Sequence, residues 1–212
     1  MKKRGITQQA RQGISRRSWL LAGLGIPLFR ATATAVLSVT SDGDNLHVSA
    51  PELHFLSGRP LTRLKDGNTV VYLSHLSLLR EAGGEPFRET AERITVSYDV
   101  WEEKFKVVLA IDHHSAAHLS QAEAETWCLE NLAISALGLE PQRPFWLRFD
   151  LRTASERDLP VLEGASGISI RGLIEMFSRK AGAGELRWGP VEVGPQRLID
   201  VPRISVRRAH NG

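Results

Sequence analysis

The sequence predicts a mainly β protein, an antiparallel sandwich or strongly curved sheet with two short helices packed on it. Three observations predict this fold class. Apolar and polar residues alternate over most of the chain after residue 35, which is the pattern of half-buried strands. The connections between these runs are too short for parallel crossovers. Two stretches, near Ser120 and after Ile170, have helical signals instead.

The basic charge of the chain is concentrated at its start. The 212 residues carry 27 Lys and Arg against 24 Asp and Glu, a formal net charge of +3. Residues 1–35 hold seven of the basic residues and no acidic one, which leaves a net charge of −4 for residues 36–212. Because an acidic domain has no electrostatic attraction for a phosphate backbone, we expect no nucleic-acid partner.

Residues 1–35 have the layout of an export signal. A basic stretch precedes an apolar core from Trp19 to Phe29, and small residues follow it. This core is shorter than the ~18 residues that a membrane-spanning helix needs. Cleavage after Ala33 and cleavage after Ala35 both fit the small-residue rule. No stable transmembrane helix would remain after processing, whereas an uncleaved signal would anchor the N terminus to the membrane.

The string Ser15-Arg16-Arg17-Ser18-Trp19-Leu20 resembles the twin-arginine export signal of bacteria. Arg30, after the apolar core, also suits that class. The resemblance implies that Arg16 and Arg17 are recognised by the twin-arginine export machinery. It also implies a periplasmic or otherwise exported protein, whose ligand or partner in the cell envelope is unknown.

The exported domain, expected over residues 36–202, begins with strands. Residues 36–56 predict two strands with a turn at Ser41-Asp42-Gly43-Asp44. The pattern breaks at residues 57–60, and residues 69–80 predict a long strand.

Residues 93–111 predict an antiparallel hairpin that turns at Trp101-Glu102-Glu103-Lys104. One face of the hairpin should be buried and the other exposed. The residues expected to be buried are Val96, Tyr98, Val107 and Leu109, and those expected to be exposed are Thr95, Ser97 and Lys106.

The pattern becomes helical after the hairpin. Ser120 and Glu123 form a capping box, and the helix behind it is expected to run to about Leu137 and to end at Gly138. Residues 145–152 predict a strand and residues 153–167 a loop.

The remaining elements complete the domain. Residues 170–181 have the apolar spacing of an amphipathic helix. Two short strands are expected around residues 186–188 and 191–193, followed by a basic, flexible tail over residues 203–212.

This layout over residues 69–153, with the pair Ser97-Tyr98 before the hairpin turn, resembles a family of small exported bacterial proteins of unknown function. The resemblance implies an exported β-rich domain and no particular activity.

The strongest candidate metal site follows the hairpin, at Asp112, His113, His114 and His118. If the segment were helical, His114 and His118 would share one face, as zinc ligands often do. The alternative is a polar loop between strand and helix. We expect no cofactor, with zinc as the metal that would fit if the cluster is a site.

Two other residues carry candidate chemistry. Trp101 at the hairpin turn could stack on a sugar or insert into a partner surface; otherwise its ring folds over the sheet edge. Cys128 lies within the predicted helix and is expected to be a buried, inert thiol.

No nucleophile–base pair, complete metal set or phosphate loop can be assembled from these motifs. The sequence therefore favours an exported, non-enzymatic binding or accessory domain. The alternative is a metal-assisted hydrolase that uses the cluster from Asp112 to His118.

Replacing both Arg16 and Arg17 by Lys should trap a precursor in the cytoplasm, because the export receptor reads the arginine pair itself. Cell fractionation and immunoblotting of wild type and double variant measure this. Normal export of the double variant would contradict the twin-arginine interpretation.

Overall fold

The computed structural model describes residues 37–111, 113–155, 158, 172, 175–177 and 185–204. The expected signal over residues 1–35 and residues 205–212 of the expected flexible tail lie outside these residues. The first two residues of that predicted tail are not flexible: Arg203 forms a bridge with Ser41, and the Ile204 N–H donates to the Ser41 carbonyl (2.8 Å). Asp112 and most of the predicted helix over residues 170–181 also lie outside them, although Gly172 and Glu175–Phe177 are helical.

The described residues form two antiparallel sheets and two helices with complete bounds. In chain order the elements are β1 (Ser38–Ser41), β2 (Asn45–Ser49), α1 (Gly58–Lys65), β3 (Val70–Leu79), β4 (Pro86–Asp99), β5 (Lys104–Leu109), β6 (Ser115–Leu119), α2 (Gln121–Glu130), β7 (Ala133–Ser135), β8 (Phe145–Thr153) and β9 (Arg187–Gln196). One sheet has the order β1-β2-β7 and the other β6-β5-β4-β3-β8-β9. The predicted fold class, mainly antiparallel β, is confirmed.

Strand β3 lies inside the six-stranded sheet. It pairs along its whole length with β4, and from Tyr72 to Leu79 it also pairs with β8. Both partners are antiparallel. The short connection between β3 and β4 accounts for the first pairing, whereas β8 follows β3 only after four other strands and α2.

One face of the six-stranded sheet packs with the three-stranded sheet in a single core. Leu46 and Val48 of β2 belong to the same buried cluster as Tyr72 of β3. The other large-sheet residues on this face that are buried include Leu76, Ile94, Val96, Val107, Leu109, Leu147, Phe149 and Leu151. Packing of apolar faces from both sheets makes the architecture a two-layer one.

The opposite face of the six-stranded sheet is also partly covered. Leu73 and Ala91 on this face pack with Met176 and Phe177 from the helical positions near residue 175. Strand β3 is therefore buried on both faces, which explains its nearly continuous apolar sequence.

The capping box at the start of α2 is confirmed. The Ser120 hydroxyl accepts a hydrogen bond from the Glu123 N–H, and the Glu123 carboxylate accepts one from the Ser120 N–H. The predicted end of this helix is wrong: it stops at Glu130, with Asn131 as its C-cap. The next residues leave the helix because β7 joins β2 as a third strand.

Three further local predictions differ from the structure. Residues 57–60 do not simply break the chain, since they begin α1, where Pro60 occupies the first turn and needs no N–H partner. The expected polar loop before Ser120 contains strand β6. The two short strands expected near the end form one bulged strand, β9.

The predicted register of the hairpin over residues 93–111 is confirmed. Val96, Val107 and Leu109 are fully buried, and Lys106 is exposed. The burial predictions for three other residues are wrong. Tyr98, expected to be buried, is half-buried next to the exposed turn, and Thr95 and Ser97, expected to be exposed, are half-buried. Thr95 has a neighbouring strand on each side, opposite Val71 and Val108, which shields part of its side chain. Among the described helices, none is both long and apolar enough to cross a membrane.

Val96→Ala should lower the free energy of unfolding by about 1–3 kcal/mol, because it removes apolar contacts and leaves a cavity at a position with 0% exposure. Lys106→Ala on the exposed face of β5 is the control and should cost less than about 0.5 kcal/mol. Chemical denaturation monitored by circular dichroism measures both. Equal losses at the two positions would contradict this register.

Candidate functional site

The tip of the β4–β5 hairpin is a fixed, projecting structure. The Asp99 carboxylate accepts hydrogen bonds from the N–H groups of Trp101 (2.8 Å) and Glu102 (3.1 Å). These two donors, with Glu102 the stronger, lower the pKa of Asp99 because they stabilise its charged form. Glu103 completes the turn with a positive φ of 53°. The Asp99 side chain therefore fixes the conformation of the turn.

This tip presents its apolar residues to solvent. Trp101 is 92% exposed and Val100 48%. The alternative that the Trp101 ring folds over the sheet edge does not fit this exposure. Trp188, in contrast, packs against Phe55 and Tyr72 with ring centroids 6.3 Å from each.

Strand β6 lies beside the hairpin at the outer edge of the six-stranded sheet. Leu119, at its end, pairs with Phe105 of β5. The His118 Nδ1 atom lies 2.7 Å from the Glu102 carboxylate. Both side chains are more than half exposed, so this contact contributes little to stability. It does join the end of β6 to the hairpin tip.

The structure separates the predicted histidine ligands along this edge. His113 and His114 lie in an exposed stretch before β6, and His118 lies near the end of β6. The segment from His114 to His118 is extended and bulged, with His118 at a positive φ of 59°, so the two histidines do not share a helix face as the metal-site interpretation assumes. Among the described residues, no group of three or more His, Cys, Asp or Glu is arranged to hold a metal ion. Asp112 lies outside those residues, so the full cluster stays a prediction.

Cys128 is buried in α2, as expected. Burial and the nearby Glu125 carboxylate raise the pKa of its thiol, which disfavours the reactive thiolate.

Glu125 is a buried acid that sequence reasoning missed. It is 4% exposed and accepts hydrogen bonds from the Leu56 N–H (2.6 Å) and from His54 Nδ1 (3.0 Å). The hydrogen bond to Glu125 raises the pKa of the His54 imidazole. The sequence did contain a signal for the burial of Glu125: it lies three residues before Cys128 and next to Ala124, on the side of α2 that is buried. Its role is to tie α2 to the chain that precedes α1.

A row of charged residues crosses the second face of the six-stranded sheet, and sequence reasoning missed it too. Its signal is the alternation of Arg148, Asp150 and Arg152 along β8. Each of these charges is paired across the sheet or with a neighbouring segment. The pairs are His75–Glu89, Arg148–Glu192, Asp150–Arg187 and Arg152–Asp158.

His75 occupies the middle of this row. Its Nε2 atom lies 3.3 Å from both the Glu89 carboxylate and the Ser77 hydroxyl, and its ring centroid is 5.1 Å from that of Phe177. Burial lowers the pKa of His75 because it disfavours the charged form. Ser77 is fully buried, so this Ser–His contact offers no accessible nucleophile.

No family model matches the chain, and neither does any curated protein or solved structure.

Zinc should leave the melting temperature of the protein unchanged, because His114 and His118 lie on an extended edge segment and belong to no group of three metal-binding side chains among the described residues. A double variant, His114→Ala with His118→Ala, is the matched control. Thermal unfolding with and without added zinc measures the effect. A zinc-dependent rise that the double variant loses would restore the metal-site interpretation.

Proposed function

We propose that this chain is an exported, non-enzymatic binding or accessory domain of the cell envelope. Its contact surface is the hairpin tip, defined here as Val100 to Lys104. The observation that carries the proposal is the 92% exposure of Trp101 on a turn that the Asp99 carboxylate holds in place.

An exposed tryptophan on a fixed turn is well suited to binding. A Trp side chain buries about 150–250 Å² when it is covered, which corresponds to roughly 4–6 kcal/mol of apolar transfer energy. Because the Asp99 turn already orders the backbone, less conformational entropy is lost on association. Tryptophan is also among the residue types that most often dominate binding energy at interfaces.

The surroundings of Trp101 favour a protein partner over a membrane or a sugar. Val100 extends the apolar surface on one side, while Glu102 and Glu103 follow on the other. Two carboxylates oppose approach to an anionic lipid surface. A projecting turn offers no wall of polar groups around a sugar ring. The surface therefore fits an apolar pocket with a polar or basic rim.

The location rests on the sequence. The twin-arginine string with Arg16 and Arg17 supports delivery of a folded domain to the periplasm by the twin-arginine machinery. The net charge of −4 after residue 35 supports a protein partner over nucleic acid there.

Trp101→Ala should abolish retention of a specific envelope protein by the immobilised full chain, because the variant lacks the apolar anchor. Leu137→Ala is the matched control, since Leu137 is also strongly exposed, at 78%, but lies outside the tip. Mass spectrometry of the proteins retained from an envelope extract measures the difference. Retention of the same proteins by wild type and Trp101→Ala would contradict the proposal.

A further inference from the structure

Helix α1 presents basic side chains to solvent. Arg59, Arg63 and Lys65 are exposed, whereas Pro60 and Leu64 face the core and are buried. Residues four apart are neighbours on a helix surface, so the Cβ atoms of Arg59 and Arg63 are about 5–6 Å apart. These two residues are called the α1 arginine pair below, and Lys65 adds a third positive charge nearby.

The three basic residues form no ion pair within the part of the chain that the structure describes. Helix α1 contains no acidic residue, and the exposed Asp66 at its C-cap forms no ion pair with Arg63. Before the helix, His54 is paired with Glu125 (3.0 Å), and Glu52 is exposed. The helix and its C-cap thus carry a net charge of +2, three basic residues against one acidic, in a domain with a net charge of −4.

The position of Arg59 works against the stability of α1. It lies in the first turn, where the helix dipole favours a negative charge, and that turn holds no acidic residue. Arg63, one turn further on, is a like charge, which also destabilises a helix. A side chain that opposes its own helix and has no described partner is typical of a functional position.

The arginine pair is carried on a fixed support. At the C-terminal end of α1, the Asp66 N–H donates to the Thr62 carbonyl (3.0 Å). Two residues before α1, the Leu56 N–H donates to the buried Glu125 carboxylate of α2 (2.6 Å). Because both ends of α1 are held, little backbone entropy is lost when its exposed face is covered.

The arginine pair and the hairpin tip lie at the same end of the six-stranded sheet. Strand β3 follows α1 and begins at Val70, which pairs with Val96 of β4. Asp99, at the base of the tip, is three residues further along β4. Helix α1 also contacts β4 directly. A protein that covers Trp101 therefore approaches α1 as well.

Carboxylates are the groups that suit the arginine pair best. A guanidinium donates two parallel hydrogen bonds to one carboxylate. Carboxylates two residues apart on a strand are separated by about 7 Å, and those four apart on a helix by about 5–6 Å, which matches the spacing of the pair. An anionic lipid surface suits it less, because lipid-binding clusters hold about four to eight basic residues. Glu102 and Glu103 at the same end of the sheet would also repel such a surface.

We propose that the α1 arginine pair binds an acidic segment of the same envelope protein that takes up Trp101. This segment presents two carboxylates about 6 Å apart on one strand or one helix face. The inference rests on the proposed function and adds the charge pattern of the partner. The partner surface is acidic opposite α1 and is an apolar pocket with a basic rim opposite the tip.

Binding of octaglutamate tests the acidic specificity of α1. The protein is purified from the periplasmic fraction, because residues 1–35 carry seven basic residues of their own. Fluorescence anisotropy of the labelled peptide should show binding that weakens as salt is added. The α1 double variant, Arg59→Gln with Arg63→Gln, should raise the Kd about tenfold. Arg143→Gln with Arg197→Gln is the matched control, since it removes the same charge from exposed positions outside α1 and should bind like the wild type.

Arg59→Gln alone separates a binding role from a structural one. It should weaken octaglutamate binding and yet raise the melting temperature by about 1–3 °C, because it removes a positive charge from the first turn. A fall in the melting temperature would mean that Arg59 supports the fold, and the inference would be overturned.

Other outcomes also decide the matter. The inference is overturned if octaglutamate does not bind, or if it binds the α1 double variant as tightly as the wild type. Binding to phosphatidylglycerol vesicles, lost in the α1 double variant and seen without octaglutamate binding, overturns it in favour of a membrane.

The envelope extract tests whether the partner is shared. The α1 double variant should retain less of the protein that Trp101→Ala fails to retain, while Trp101→Ala should still bind octaglutamate. Full retention by the α1 double variant overturns the inference and leaves the proposed function standing. If no protein is retained through Trp101, the proposed function fails and the shared partner fails with it.

Discussion

The burial of β3 on both faces is the constraint on which the rest of the structure depends. One face packs with the three-stranded sheet through residues such as Tyr72, and the other packs under Met176 and Phe177 through Leu73. Because both faces of β3 are buried, its backbone N–H and C=O groups need hydrogen-bond partners within the protein. Pairing with β4 and β8 supplies them. The six-stranded sheet grows outward from this strand.

The same constraint decides how charge is placed. Charged residues that alternate along β8 must face the covered side of the sheet, where an unpaired charge would cost several kcal/mol. Arg148 and Asp150 are accordingly paired across the sheet with Glu192 and Arg187. Glu125, a buried carboxylate in α2, is also paired: it accepts a hydrogen bond from the Leu56 N–H. These ion pairs fix how the strands and helices lie against each other and contribute little net stability.

The exposed chemistry lies where the sheet ends. Pairing of β5 with β6 carries the sheet to its outer edge, and the β4–β5 turn projects beyond it. The contact between Glu102 and His118 brings the turn and the edge together. The proposed function uses this corner because Trp101 is 92% exposed there on a turn that the Asp99 carboxylate holds in place. The paired charges elsewhere already have their partners.

The sequence alone determined the fold class, the hairpin over residues 93–111 and the start of α2, because period-two alternation and a capping box are local signals. It also identified Trp101 as a candidate contact residue. The tertiary structure decided where α2 ends, because β7 is a strand only through its pairing with β2. It likewise decided that the segment before Ser120 is an edge strand, which separates His114 from His118. Cross-strand partners such as Asp150 and Arg187 are 37 residues apart in the chain, and no local pattern connects residues that far apart.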